Sequence, residues 1–486
     1  MSNDFDNLDA LFHPRSAAIV GASASVISGG YNFTRYLIDH GFKGRIYPVN
    51  PKLDELLGLK VYPGVRDIPE PEIDYVICCI AAEGVPSLLE DCKAKNVKLV
   101  HLFTGIMSET GREKEARLED EILQKAKGLG IRILGPNCMG MYYPRVGLSF
   151  NHDLPKESGP VGGFLQSGGG AGEFVRYAAL RGVRFSKVIS YGNARDINES
   201  ELLRYFAADP ETKLIAAYIE GVRDGREFIG ALSSAAARKP VILLKAGRGE
   251  AGKKLVFSHT ASLAGSMEMW RALSKQHGIV LVSNFQELID QVVAFTFLPP
   301  ITGRKAVIIG GGGGKSVISA DVWEEEGFHI PDFSPGVREK LKQEVPHIWD
   351  WLRNPLDSSI LQKSLVPPVN LLRTIITAQE FDIFIVSLTQ DDPYPADIWR
   401  QVLAADFLDG AATIKGEGKP VVSVIETAEI DSSNMAGWRW SAIAEIRKDI
   451  IRQGIPVFPS PERAAKAMRK FVDYWVGKEQ RSENDR

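Results

Sequence analysis

The sequence predicts an α/β protein built from three consecutive doubly wound units, and three observations carry that reading. Short apolar runs of strand length alternate with stretches of helix length, the pattern that yields parallel sheets covered by helices. Several strand-like runs end in glycine-containing turns ahead of a helix, at Gly21, at residues 168–170 and at residues 310–314. The length of 486 residues exceeds one ordinary core and fits two to four domains.

The first unit opens with Ser16-Ala17-Ala18-Ile19-Val20-Gly21-Ala22-Ser23, a buried strand running into a tight turn. A helix over residues 32–40 and a strand over 44–52 complete a β-α-β unit of the nucleotide-binding kind. The Gly-x-Gly-x-x-Gly fingerprint is absent. The second strand ends in Asn50-Pro51-Lys52, where an NAD-binding unit places an Asp or Glu for the ribose hydroxyls. A lysine there suits a phosphorylated adenosine. Further strands are expected within 73–81, 97–104 and 131–134, the last turning through Gly135-Pro136-Asn137-Cys138. That turn puts Asn137 and Cys138 at the carboxyl edge of a parallel sheet, where such sheets bind ligands; a turn with a core cysteine is the competing reading. Residues 144–160, punctuated by proline and glycine, read as a linker.

The second unit begins with a strand over 161–165, and Gln166-Ser167-Gly168-Gly169-Gly170 then turns into a helix over 174–180. Backbone amides at such a helix start, approached closely where glycine removes the side chain, form an anion site aided by the helix dipole; packing alone is the alternative. Leu165 stands where a Gly-x-Ser-x-Gly elbow needs its first glycine, which weakens a serine-hydrolase reading. Strands over 186–190, 214–219 and 240–244 alternate with helices, and Glu220 closes the second of these.

The third unit opens with a strand over 305–309 and the run Gly310-Gly311-Gly312-Gly313-Gly314-Lys315-Ser316, then a helix over 317–326. A Walker motif needs glycine at 309, and Ile309 leaves the loop one residue short, although an anion-binding helix start remains. A turn at residues 354–357, strands over 383–387 and 420–424, and helices to about 475 finish the unit.

His259 lies in a run of lysines, hydroxyls and glycines, Lys253 to Ser266. Imidazole is uncharged and nucleophilic near neutral pH, so it can accept a phosphoryl group if other groups stabilise the anion. A carboxylate at Glu220 can hold the second ring nitrogen and fix the tautomer. An ordinary loop histidine and an exposed glutamate are the plainer readings.

The net charge of −3, with signs mixed throughout, argues against nucleic acid or a membrane surface as the main partner. Small ligands are expected. Cys78, Cys79, Cys92 and Cys138 give no disulfide framework and no metal pattern. No signal peptide and no apolar run near 18 residues is found, so a cytoplasmic protein is expected, with disorder only at its polar ends.

In order and spacing, Val20-Gly21-Ala22-Ser23, Tyr47-Pro48-Val49-Asn50-Pro51-Lys52, Gly135-Pro136-Asn137-Cys138, Gln166-Ser167-Gly168-Gly169 and Ser258-His259-Thr260 together resemble the α subunit of NDP-forming acyl-CoA synthetases. That family is typified by ADP-forming acetyl-CoA synthetase and is related to succinyl-CoA synthetase. The resemblance covers nearly the whole chain. It implies a Rossmann-like CoA-binding domain over 1–143 and two flavodoxin-like ligase domains over 155–300 and 303–477.

The reaction it implies is reversible: a carboxylic acid, CoA and ATP give acyl-CoA, ADP and phosphate through an acyl phosphate and a phosphohistidine. Carried onto this chain, His259 takes the phosphoryl group and Glu220 stabilises it. Gln166, Ser167, Gly168 and Gly169 with Gly312, Gly313 and Gly314 hold phosphate. Gly21, Ala22, Ser23, Asn50, Lys52, Asn137 and Cys138 lie near CoA, and no metal site is assigned. Two departures stand out: Ala261 follows Ser-His-Thr where the family usually has glycine, and Lys315 ends an unusually long glycine run. No ATP-grasp domain follows residue 475, so a separate ATP-grasp β subunit carrying ATP or ADP with Mg is expected, in an α2β2 or similar assembly. A CoA-binding regulatory protein without catalysis and an NAD-dependent oxidoreductase are the alternatives.

Overall fold

Ala17, Ala18 and Ile19 are fully buried in strand Ser16–Val20, which occupies an inner position in a parallel sheet. A strand covered on both faces has no solvent side, so a continuous apolar run is what such a position requires. In the computed structural model, residues 2–252, 266–361, 366–388, 394–426 and 437–484 are described. The chain divides into two compact units, residues 1–288 and 289–486.

The first unit contains two sheets. One runs Arg45–Val49, Ser16–Val20, Tyr75–Cys78, Leu99–Leu102 and Arg132–Leu134, all parallel. Chain order reverses direction beside Ser16–Val20, which creates the crevice at the carboxyl ends where doubly wound sheets take ligands. Helix Gly29–Asp39 starts earlier than the periodicity suggests because Ser28 caps it, its hydroxyl accepting from the Tyr31 amide at 3.1 Å. A Cβ on Gly30 would lie 1.9 Å from the Gly21 carbonyl oxygen, so only glycine lets this helix meet the turn.

The other sheet runs Val280–Val282, Val241–Lys245, Leu214–Ile219, Ser158–Leu165 and Phe185–Ser190, with Gly140–Tyr142 antiparallel at the edge. Its reversal falls between Ser158–Leu165 and Leu214–Ile219. Strand Gly140–Tyr142 thus joins the second sheet directly after the turn that leaves the first. The following passage is no loose tether: Leu148, Phe150 and Leu154 are buried, and the Tyr142 hydroxyl donates to the Pro155 carbonyl at 2.7 Å. The polar start of the chain is also ordered. Helix Ser2–Phe12 buries Leu8 and Phe12, and Phe12 packs edge-on against Tyr205.

In the second unit, Ala306–Gly310, Ile383–Leu388, Val421–Ile425 and Val457–Phe458 form a parallel sheet in sequence order. Its last helix, Pro461–Asn484, runs past the expected end, anchored where Arg463 makes a two-pronged ion pair with buried Asp290 at 2.8 Å. Among the described residues no helix is long and apolar enough to cross a membrane.

Candidate active site

Ser167 caps helix Gly168–Ala179, its hydroxyl accepting from the Gly170 amide at 3.0 Å and its carbonyl from the Ala171 amide. The glycines therefore form the first helical turn, ahead of the helix expected over 174–180. The amides of Gly168 and Gly169 precede any helical carbonyl and point out of the helix end, toward which its dipole draws an anion. Each glycine has its own reason. A Cβ on Gly168 would press on Met139 and one on Gly170 on Phe285, at 2.8 and 2.7 Å, whereas Gly169 faces open space.

This helix start sits at the reversal of the second sheet. Gln166, closing one central strand, uses its side-chain oxygen to receive the amides of Glu220 and Gly221, the latter at 3.1 Å, at the end of the other. Two N–H donors fix the orientation of the Gln166 amide, because only its carbonyl end can accept. The Glu220 carboxylate accepts from the Tyr218 hydroxyl at 3.1 Å, and the Tyr218 ring stacks on Phe285.

The first sheet reaches the same place through its last turn. Asn137 adopts φ +57°, and its amide donates to the Thr104 carbonyl at 3.0 Å. The turn is held from below by His101, whose Nε2 lies 3.0 Å from the Cys138 carbonyl and whose Nδ1 lies 3.0 Å from the Tyr75 hydroxyl. A carbonyl only accepts, so Nε2 carries the proton, and burial pushes the His101 pKa down to about 4. Across the turn, a Cβ on Gly192 would stand 2.1 Å from the Pro136 carbonyl oxygen, so glycine is what lets the two sheets close on each other.

The result is one cavity of about 350 Å³, lined by Asn137, Cys138 and Met139 from that turn, Gln166 to Gly169 from the helix start, and Glu220. Phe103, Gly192 and Asn193 complete its wall. Seven predicted site residues thus meet there. Cys138 contributes little chemistry to it, since burial raises its thiol and Sγ faces the Leu134 carbonyl at 3.5 Å. Phe103 and Asn193 were not anticipated, because only the packing of separate loops brings them in.

Gly21, Ala22, Ser23, Asn50 and Lys52 lie instead at neighbouring strand ends of the first sheet, outside that cavity. Gly21 adopts φ +91°, and its amide and that of Ala22 both donate to the Val49 carbonyl at 3.1 Å. The Asn50 side chain donates to the Ala22 carbonyl at 2.5 Å and accepts from the Lys52 amide at 2.8 Å. It thereby ties the two turns together and leaves Lys52 exposed beside them.

In the second unit, Gly312 caps helix Gly313–Glu325, again starting earlier than expected. A Cβ on Gly313 would lie 3.1 Å from an Asp357 carboxylate oxygen, so that helix start already faces an anion. Lys315 pairs with Glu426 at 3.0 Å. His259 lies outside the described residues. Among the described residues no three His, Cys, Asp or Glu side chains gather as a metal-binding group.

Residues 15–144 match the CoA binding domain family, and residues 158–295 match the succinyl-CoA ligase like flavodoxin domain. The chain is 33% identical over 484 residues to the α subunit of acetate–CoA ligase (ADP-forming) I of Pyrococcus furiosus, covering 97% of this chain and 99% of that protein. Against acetate–CoA ligase (ADP-forming) of Methanocaldococcus jannaschii, identity is 39% over 353 residues, 72% of this chain but 49% of that longer protein. Among solved structures, dinucleotide forming acetyl-coenzyme A synthetase 1 of Ca. Korarchaeum cryptofilum, in complex with phosphate and ADP, superposes with a TM-score of 0.80 at 30% identity, covering 97% and 98% of the two chains. With this identity sustained from end to end, and with both domain matches falling on the two sheets that build the cavity, the chain belongs to the ADP-forming acetate–CoA ligase family of acid–thiol ligases, as a counterpart of its α subunit.

Proposed function

We propose that this chain carries the acyl and phosphoryl half-reactions of a reversible, ADP-forming acyl-CoA synthetase. The observation that carries the reading is the meeting of a glycine-started helix, Glu220 and Asn137 in one cavity at the reversal of a parallel sheet. In the direction of acid release, a phosphate oxygen attacks the thioester carbonyl, the C–S bond breaks, and CoA leaves as its thiol. An imidazole nitrogen of His259 then attacks phosphorus, the P–O bond to the acyl group breaks, and the carboxylate departs. ADP finally takes the phosphoryl group from the histidine.

Each residue has a task in this scheme. The Gly168 and Gly169 amides hold the phosphate, and Gln166 fixes the backbone from which Glu220 projects. Glu220 receives the second ring N–H of His259 and stabilises the imidazolium character of the phosphorylated ring. Gly312, Gly313 and Gly314 offer amides of the same kind, for which a phosphate has to displace Asp357 or share a proton with it. CoA lies along Gly21, Ala22, Ser23, Asn50, Lys52, Asn137 and the backbone of Cys138. The nucleotide, with Mg, belongs to a separate ATP-grasp β subunit in a cytoplasmic α2β2 or similar assembly. The names of the α-subunit relatives support such a partner.

The test mixes the purified chain with radiolabelled phosphate and acetyl-, isovaleryl- and phenylacetyl-CoA, with His259→Ala as control. Acid-labile, base-stable label on the wild type alone is expected. Absence of label, both here and with ATP and the partner subunit, would leave only a CoA-binding protein.

A further inference from the structure

One buried charge at the site is used by none of these steps. Lys245 closes strand Val241–Lys245 with 1% of its surface exposed. Its ammonium donates to the Glu220 carbonyl at 2.6 Å and to the Ala246 carbonyl, and stands 5.6 Å over the Trp270 ring. Among the described residues no carboxylate lies within ion-pair distance of it. Burying an ammonium without a paired anion is costly, and a methionine of similar shape would fill the space without that cost. The charge therefore has a use other than packing.

Its position gives that use. Strand Leu214–Ile219 ends at Glu220, and its hydrogen-bonded neighbour ends at Lys245, fourteen residues before His259. One side chain thus ties the backbone of Glu220 to the end of the neighbouring strand. The clamp consists of charge-assisted hydrogen bonds, about twice as strong as neutral ones. It also sets a positive charge beside Glu220, which lines the proposed phosphate cavity.

We propose that Lys245 is a positioning residue for phosphoryl transfer, holding the backbone of Glu220 in place and offsetting the negative charge of its carboxylate. This rests on the phosphohistidine reading above. Burial lowers the Lys245 pKa to about 8 against the opposing pull of Glu220, so the clamp loses its charge just above neutral pH. The groups facing it are Glu220, Trp270 from helix Met267–His277, and Glu173, Tyr218 and Arg248 around a second cavity, of about 490 Å³, that Lys245 lines.

The experiment compares rates of label transfer from radiolabelled phosphate and acyl-CoA in the full chain and in Lys245→Met, from neutral to alkaline pH. In the wild type the rate should fall as pH rises through about 8. Lys245→Met should label about 10- to 100-fold more slowly at neutral pH, the usual loss when the support of a reacting group is removed, and should lack the alkaline limb. Its KM for acyl-CoA should change far less than this rate, since none of the residues assigned to CoA is among the contacts of Lys245. If the methionine variant fails to fold, Lys245→Gln keeps a donor without the charge and should show the same slow, pH-independent transfer. Wild-type rate with the alkaline limb retained in either variant would overturn the proposal. A wild type left unlabelled here and also with ATP and the partner subunit would instead refute the phosphohistidine reading, and this inference with it.

Discussion

Gln166 does two jobs that substitution can separate. Its side-chain oxygen receives the Glu220 and Gly221 amides, and its residue sits on the cavity wall with only 6% of its surface exposed. Gln166→Leu keeps the volume but strands one buried and one half-buried donor, each worth roughly 1–3 kcal/mol, so a loss of at least about 2 kcal/mol is expected before local relaxation. At ~2–4 °C per kcal/mol for domains of 150–250 residues, the melting temperature should fall by at least about 4 °C. Gln166→Glu keeps the acceptor and strengthens it with charge, so the fold should survive. It also places a second carboxylate beside Glu220 in the cavity proposed to hold phosphate. Losing one preorganised donor from such a site costs roughly 2.7–4 kcal/mol of transition-state stabilisation, or about 10²–10³ in rate, and an added like charge should cost no less. Calorimetry and labelling from radioactive phosphate measure the two effects on the same samples. A Gln166→Glu variant that melts normally and labels at the wild-type rate would refute the assignment of phosphate to this cavity. A Gln166→Leu variant of unchanged stability would refute the backbone clamp.

Glycine substitutions test the helix start independently. Gly169→Val meets open space, so it should fold and yet lose roughly 10²-fold or more in labelling as its methyls fill the anion position, read by the same assay. Gly170→Val collides with Phe285 and should instead lower the melting temperature. Away from the site, Lys187 is buried between Asp209 and Glu211, at 3.0 and 2.8 Å, and Lys187→Met should cost roughly 3–5 kcal/mol in denaturant melts by leaving buried Asp209 without its counter-charge. Burial alone would raise the Glu211 pKa, but hydrogen bonds from Lys187, Tyr143 and Arg145 outweigh it and hold the group at about 2, against 4.5 in an unperturbed chain. A depressed carboxylate stabilises the fold above its unfolded pKa. That contribution should fade as pH falls from 4.5 toward 2, and the slope should be shallower in Lys187→Met.

Local chemistry made much of this protein readable from its chain. Apolar runs such as Ala17-Ala18-Ile19 report burial on both faces of a sheet, and glycines after strands report helix starts, because both depend on neighbours a few residues away. The order of the motifs was enough to identify the family. Element ends were less legible: Ser28 and Ser167 begin their helices before the amphipathic pattern does, since a cap acts on backbone amides and leaves no periodicity. What only the tertiary structure decided is who meets whom. Gln166 grips amides 54 and 55 positions away, Gly192 admits the Pro136 carbonyl, and strand Gly140–Tyr142 crosses to the second sheet, which brings Asn137 to Glu220. Lys245 looks in sequence like a surface lysine ending a strand, and it is buried because the Glu220 carbonyl and the Trp270 ring close over it. Such pairings cost chain entropy to form and are set by the fit of whole surfaces, a property that no window of sequence contains.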